Sequence, residues 1–189
     1  PAGARVEETD DGASCNLWIT VGPADRPGLV LSGHSDVVPV VGQAWTRDPF
    51  RLTAEDGRLY GRGTADMKGF VAAALRTMLI AAQRNLQTPL HCAISFDEEV
   101  GCIGVRSLLA MLADRPAPLM VWIGEPTNLA LATGHKGKAA WRCDITGRAA
   151  HSALPTQGLN AIHLAAEAIA AAIAAKADAI HPGYGFLSE

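Results

Sequence analysis

The chain has 189 residues, of which 49% are apolar and 19% charged, with a formal net charge of -3 at pH 7. That is the composition of a globular protein with room for one sizeable core, or for one domain and part of another. It excludes the basic footprint of a nucleic-acid binder, and no apolar run approaches the roughly 20 residues that span a bilayer.

The four cysteines, Cys15, Cys92, Cys102 and Cys143, form no Cys-x-x-Cys pair, which argues against a thiolate zinc site or a redox pair. They read as scattered core thiols of a protein in the reducing cytoplasm. The first residues show no positive stretch ahead of an apolar block, so no secretory signal is read there.

In chain order, residues 1–13 are polar and acidic and are expected to be a frayed lead-in. Residues 15–21 (CNLWITV) read as a strand and residues 22–28 (GPADRPG) as a turn. Residues 28–31 (GLVL) read as a buried strand, expected to form a hairpin with the first. The second strand runs out at His34 and Asp36. A neutral imidazole suits zinc or a similar metal, and a nearby carboxylate can accept the other ring N–H and fix the tautomer. Taken alone, the triplet is better explained as a hydrogen-bonded histidine at a strand end.

Residues 40–56 read as loop and 58–60 as a short strand. The segment GRGTADMKG follows, then a helix to about residue 84 with Phe70, Val71, Ala74, Leu75, Met78, Leu79 and Ala82 on one buried face. Gly61, Gly63 and Gly69 match neither a P-loop nor a dinucleotide fingerprint. They are read as letting the backbone turn tightly so that Asp66 projects into a pocket.

Residues 90–96 (LHCAISF) form a strand running into Asp97, Glu98 and Glu99. These acids fit either a solvated helix start capped by Asp97 or a divided pair. In a divided pair one carboxylate binds metal and its neighbour takes a proton from water. A helix to about residue 113 and a buried strand at 119–123 (LMVWI) lead to Gly124-Glu125-Pro126-Thr127. Strands alternating with amphipathic helices predict an α/β layered domain.

From Lys138 the pattern changes to a half-exposed strand at 139–146, a loop at 147–158 containing His151, and an alanine-rich helix at 159–175. His91 is read as strand packing and His163 as helix surface. His34/Asp36, Asp66, Glu98/Glu99 and Glu125 each lie where a strand runs out, the place where ligands gather in open α/β sheets. A histidine with several carboxylates there suits zinc, cobalt or manganese.

Taken together, LSGHSDVVP, LYGRGTADMKG, SFDEEVGCIG, GEPT, HKGKA and GRAAHSALP resemble the acetylornithine deacetylase and succinyl-diaminopimelate desuccinylase family of dinuclear-zinc metallopeptidases. The resemblance runs from about residue 14 to 175, and GQAWTRDPF and HKGKAAWR are most similar to its acetylornithine deacetylase branch. It implies a three-layer α/β catalytic domain with a mixed sheet over residues 1–135. The beginning of an α+β lid or dimerisation domain would follow at 136–175, both domains being truncated.

The resemblance also implies roles. His34 would bind one metal, with Asp36 as its partner, and Asp66 would bridge two metals. Glu99 would bind one metal and Glu125 the other, and Glu98 would act as general base and acid. His151 would reach the partner subunit's active site and steady the oxyanion. The cofactor would be zinc at two sites, with cobalt as a possible substitute. The Asp66–Met67 peptide would be a candidate for the cis form. The implied reaction is hydrolysis of a small N-acyl amino acid, N-acetylornithine to ornithine and acetate in arginine biosynthesis. A cytoplasmic homodimer with neither nucleic-acid nor membrane partners would carry it out.

Family members are longer and supply a last metal-binding histidine that is not found here. The alternative is therefore a metal-binding chain without turnover. Residues 177–189 (ADAIHPGYGFLSE) resemble a segment of biotin carboxylases. They carry no ATP-binding loop, which counts against the further alternative of a carboxylase fragment.

Overall fold

The computed structural model describes residues 3–10, 12–134 and 143–176. The chain divides into two compact units, Pro1–Ala132 and Thr133–Glu189. The tail at 177–189 lies outside the described residues.

The first unit is built on a five-stranded mixed sheet of order β1-β2-β6-β3-β7. The strands are β1 (Ala4–Asp10), β2 (Cys15–Val21), β3 (Leu29–His34), β6 (Leu90–Ser95) and β7 (Met120–Ile123). β1 pairs antiparallel with β2 and β2 with β6, whereas β3 runs parallel to both β6 and β7. A small ribbon, β4 (Thr53–Glu55) and β5 (Arg58–Tyr60), stands apart from it.

Helix α1 (Gly69–Ala81) covers one face of the sheet and α2 (Val105–Leu112) the other. Ala74, Met78 and Ala81 of α1 pack with Val21, Cys92 and Ile94. Leu108 of α2 packs with Trp18, Val30 and Ala93. The result is the three-layer α/β arrangement read from the sequence. The central strand β6 is buried on both faces from His91 to Ile94, the pattern of a strand with a helix on each side.

Several expectations are corrected. The lead-in is a strand: Ala4–Asp10 pairs along its whole length with β2. Its polar residues suit an edge position, and Arg115 clamps Glu7 with hydrogen bonds of 2.8 and 2.6 Å. β2 and β3 form no hairpin, because β6 lies between them. The turn ties instead to neighbouring segments, with Leu29 N–H donating to Pro89 O at 3.0 Å and Leu119 N–H to Gly28 O at 2.8 Å.

Part of the expected 40–56 loop is β4. Asp56 and Gly57 take positive φ values of 50° and 72°, the requirement of a two-residue hairpin turn. β7 is an edge rather than a buried strand, and its four residues are 46–62% exposed. Leu75 and Leu79 also stay largely exposed, so the buried stripe of α1 is narrower than its apolar pattern. Only Cys92 is a core thiol, while Cys15, Cys102 and Cys143 are exposed.

In the second unit, α3 (Ala161–Ala174) is capped by Asn160, whose side chain accepts the Ile162 N–H at 2.9 Å. An isolated bridge joins Arg148 to Leu159. Of the strand expected at 139–146, residues 139–142 lie outside the described residues and 143–146 form no strand. Among the described residues no helix is long and apolar enough to cross a membrane.

Candidate metal centre

His34 is the last residue of β3 and is 2% exposed. The preceding Gly33 lets Met67 approach, since a Cβ there would lie 3.0 Å from Met67 Cε. Asp66 follows on the GRGTADMKG turn. Gly63 takes φ 80°, and a Cβ on it would sit 2.6 Å from Val37 Cγ1, so the position admits only glycine without rearrangement. Lys68 N–H closes the turn onto Gly63 O at 2.8 Å, and its ammonium donates to Ser35 O. The Asp66–Met67 peptide is cis.

Glu98 and Glu99 sit on a turn between β6 and α2, not at a helix start. Asp97 has φ 52° and α2 begins only at Val105, without a side-chain cap, so the capping alternative is set aside. Gly101 and Cys102 N–H donate to Glu98 O, and Ile103 N–H to Asp97 O. The Cys102 thiol donates to Glu98 Oε1 at 3.3 Å. Glu125 follows β7, where Gly124 N–H bonds Ser32 O at 3.1 Å.

These turns converge on the His34 ring. Nε2 lies 3.1 Å from Asp66 Oδ1 and 3.9 Å from Glu125 Oε1. His34, Asp66 and Glu99 each offer a ligand atom, all within 4.8 Å of one another. On its other side, Nδ1 is 3.0 Å from the Asp36 backbone oxygen and 3.4 Å from Asp36 Oδ1. The carbonyl rather than the carboxylate is therefore the nearer acceptor. Asp36 Oδ2 instead accepts the Glu99 N–H at 3.0 Å, while the buried Oδ1 has no hydrogen-bond partner.

This geometry tests whether a cation fits. A carbonyl only accepts, so Nδ1 carries a proton, and a neutral ring must then present the Nε2 lone pair to carboxylate oxygens. Lone pairs facing each other at 3.1 Å repel, and either a proton or a metal ion between them relieves this. The donor set of one imidazole and several carboxylates suits zinc or a similar dication.

The titration shifts express the same crowding. Burial pushes the Glu99 and Glu125 carboxyls up, and the Asp66 charge adds to it. Burial pulls His34 down, but Asp36, Asp66 and Glu125 together hold it above its ordinary value. Asp36 runs the other way: burial raises it, yet the backbone N–H groups of Glu99 and Glu98 and the His34 charge leave it lowered.

Six of the seven residues singled out in the sequence thus come together within the first unit. His151 belongs to the second unit, where its Nδ1 accepts the Ala153 N–H at 3.1 Å. Sequence reading missed Lys68, although it stands within the GRGTADMKG motif, and Asn16. Asn16 shares a strand face with Trp18 and Thr20, and a polar residue in that alternation was the available signal.

The fold and the converging carboxylates define a class. Residues 30–186 match the sequence profile of peptidase family M20/M25/M40, and the chain belongs to that family. The match runs into the tail read as carboxylase-like. Over 154 residues the chain is 45% identical to acetylornithine deacetylase of Shigella sonnei (strain Ss046), covering 82% of this chain and 39% of that relative. The chain therefore spans well under half the length of this relative.

Among solved structures it is similar to human carnosine dipeptidase 1, with 31% identity and a TM-score of 0.54 over 65% of this chain and 29% of that one. A tripeptidase from Staphylococcus aureus shares the fold, with 23% identity and a TM-score of 0.57 over 89% of this chain and 47% of that one.

Proposed function

We propose that this chain supplies most of the catalytic centre of a metal-dependent amide hydrolase acting on a small N-acyl amino acid, with N-acetylornithine as the substrate. The observation that carries the reading is the His34 ring, with Nδ1 engaged by Asp36 and Nε2 turned onto Asp66 and Glu125. The 45% identity to an acetylornithine deacetylase supports the choice of substrate.

In this reading His34, Asp66, Glu99 and Glu125 would hold zinc at two sites, with cobalt able to substitute. A dication there supplies Lewis acidity toward the acyl carbonyl and lowers the pKa of water. Asp36 holds the His34 ring and the Glu99 backbone. Glu98 takes the proton of the attacking water on its carboxylate and returns it to the leaving amine. His151 steadies the oxyanion across a homodimer of this cytoplasmic enzyme. The products are ornithine and acetate.

The test is metal analysis of the purified chain, followed by hydrolysis of N-acetylornithine and other N-acyl amino acids with zinc or cobalt added. Bound metal with turnover of N-acetylornithine is the expected result. Bound metal without turnover of any acyl amino acid would leave the chain a metal-binding protein and overturn the enzymatic reading.

A further inference from the structure

Asn16, the second residue of β2, is 0% exposed, and a buried amide must place its polar atoms. Its Nδ2 lies 2.9 Å from each of Gly104 O, Thr9 Oγ1 and Ser107 Oγ, and its two hydrogens are shared among these three acceptors. Its Oδ1 accepts the Phe96 N–H at 3.4 Å. Phe96 and Gly104 are the residues on either side of the 97–103 turn. One side chain therefore closes both ends of the turn that carries Glu98 and Glu99.

The turn needs such a closure. Asp97, Gly101 and Cys102 have φ values of 52°, 108° and 53°, a region that side-chain-bearing residues occupy only when their surroundings hold them there. The closure is also tight: a Cβ on Gly104 would lie 2.2 Å from Phe96 O, so the two ends of the turn meet in direct contact.

We propose that Asn16 is a positioning residue for the carboxylate turn: it clamps Phe96 to Gly104 and so sets where Glu98 and Glu99 stand relative to His34 and Asp66. The clamp itself is independent of function, and its consequence for the site rests on the metal-centre reading above.

Asn16→Asp keeps the shape and the acceptor for Phe96 N–H but removes the donor to Gly104. Asn16→Ser is a second variant that keeps a small polar group should the first fail to fold. Val21→Ala, which trims the core elsewhere on β2, controls for general destabilisation. Hydrogen exchange is measured at the Gly101, Cys102 and Ile103 amides, all bonded within the turn.

Exchange at those amides should accelerate roughly tenfold or more in the Asn16 variants, with little change in β6 and none at the turn in Val21→Ala. Exchange that is unchanged, or that rises no more than in the control, overturns the clamp. Cobalt absorption then reads the site. An altered spectrum and weaker binding in Asn16→Asp but not in Val21→Ala are expected, and identical cobalt binding overturns the positioning role. A wild-type chain that takes up no cobalt overturns the metal-centre reading instead, while the exchange data still decide the clamp.

Discussion

Asp36 Oδ2 accepts the backbone N–H of Glu99 at 3.0 Å, while the backbone oxygen of the same aspartate takes the His34 ring at 3.0 Å. One residue thus fixes two candidate ligands that stand far apart in sequence. Asp36→Ala should weaken zinc binding by about 10- to 100-fold, the usual cost of losing a group that orients a ligand. Asp36→Asn keeps an oxygen for the Glu99 N–H and should lose less. Calorimetric zinc titration of both variants checks this, and an alanine variant that binds zinc like wild type contradicts it.

Glu98 contacts the Cys102 thiol but is not needed to complete the His34, Asp66 and Glu99 group. Glu98→Gln should therefore bind metal normally while hydrolysis falls by about 10²–10⁴-fold, the range for loss of a general base. A second readout comes from the thiol. The Glu98 carboxylate accepting its hydrogen bond is the first cause that holds the Cys102 pKa above its ordinary value. Removing the negative charge lowers that pKa, so Cys102 should alkylate faster in Glu98→Gln at a fixed, mildly alkaline pH. Site-resolved mass spectrometry measures the rate, and an unchanged rate would show that the two groups do not interact.

The legible parts of this molecule were those governed by local pattern. The apolar runs at 15–21, 29–31 and 90–96 and the spacing in 69–84 declared strands and a helix, since burial on one or two faces writes itself into short windows. Strand order did not follow. Nothing local in 15–31 tells that β6, some 60 residues later, slots between β2 and β3, and the hairpin expectation failed there. β1 was missed because an edge strand tolerates Glu7, Glu8 and Asp10 in a sequence that looks like a polar tail. The candidate site residues that converge on the His34 ring were readable as strand-end acids and a histidine. Their support by Asn16 was not, because a clamp on Phe96 and Gly104 exists only once β2, β6 and α2 are assembled.

Gly63 separates steric from conformational cost. Its φ of 80° and the 2.6 Å approach of Val37 Cγ1 both oppose a side chain, whereas Gly57, at φ 72°, has open space around it. Gly57→Ala should cost about 1 kcal/mol from backbone conformation alone. Gly63→Ala should cost more, about 2–3 kcal/mol, because the Asp66 turn must also move away from Val37. Urea unfolding of the two variants gives the comparison, and equal losses would mean that the turn yields without resistance.

His91 should make the fold acid-sensitive. It is 9% exposed, stacked on Trp18 at 4.7 Å and within 2.9 Å of Thr20 Oγ1. Burial, and then the charges of Arg115 and Arg5, lower its pKa below the ordinary value of 6.5. A histidine depressed in the folded state binds more protons when unfolded, so stability rises with pH across that interval. Its contribution is complete above about pH 6.5 and is lost as the pH falls toward the depressed folded value. Replacing His91 by Gln should remove this part of the acid limb. Unfolding midpoints of wild type and variant, taken on both sides of that interval, should converge toward acid and diverge toward neutrality.

The metal centre should show the opposite dependence until it is loaded. In the metal-free chain Glu99 and Glu125 sit above their ordinary 4.5 because of burial and the Asp66 charge. The carboxylates around His34 raise it above 6.5 against the effect of burial. Groups that hold protons more tightly folded than unfolded add stability at low pH and lose it as the pH rises through their raised values. His34 is therefore fully stabilising below 6.5 and fades above it, and the two glutamates fade from about 4.5 upward. A dication takes over the role of those protons, and it competes with them for the same atoms. Added zinc should raise the melting temperature little in acid and progressively more toward neutral and mildly alkaline pH, taken at each pH as the difference from the chelated protein so that the His91 contribution cancels. Melting curves with zinc and with chelator across this range test it. A zinc effect that stays constant with pH would mean that the metal binds elsewhere than at His34, Asp66, Glu99 and Glu125.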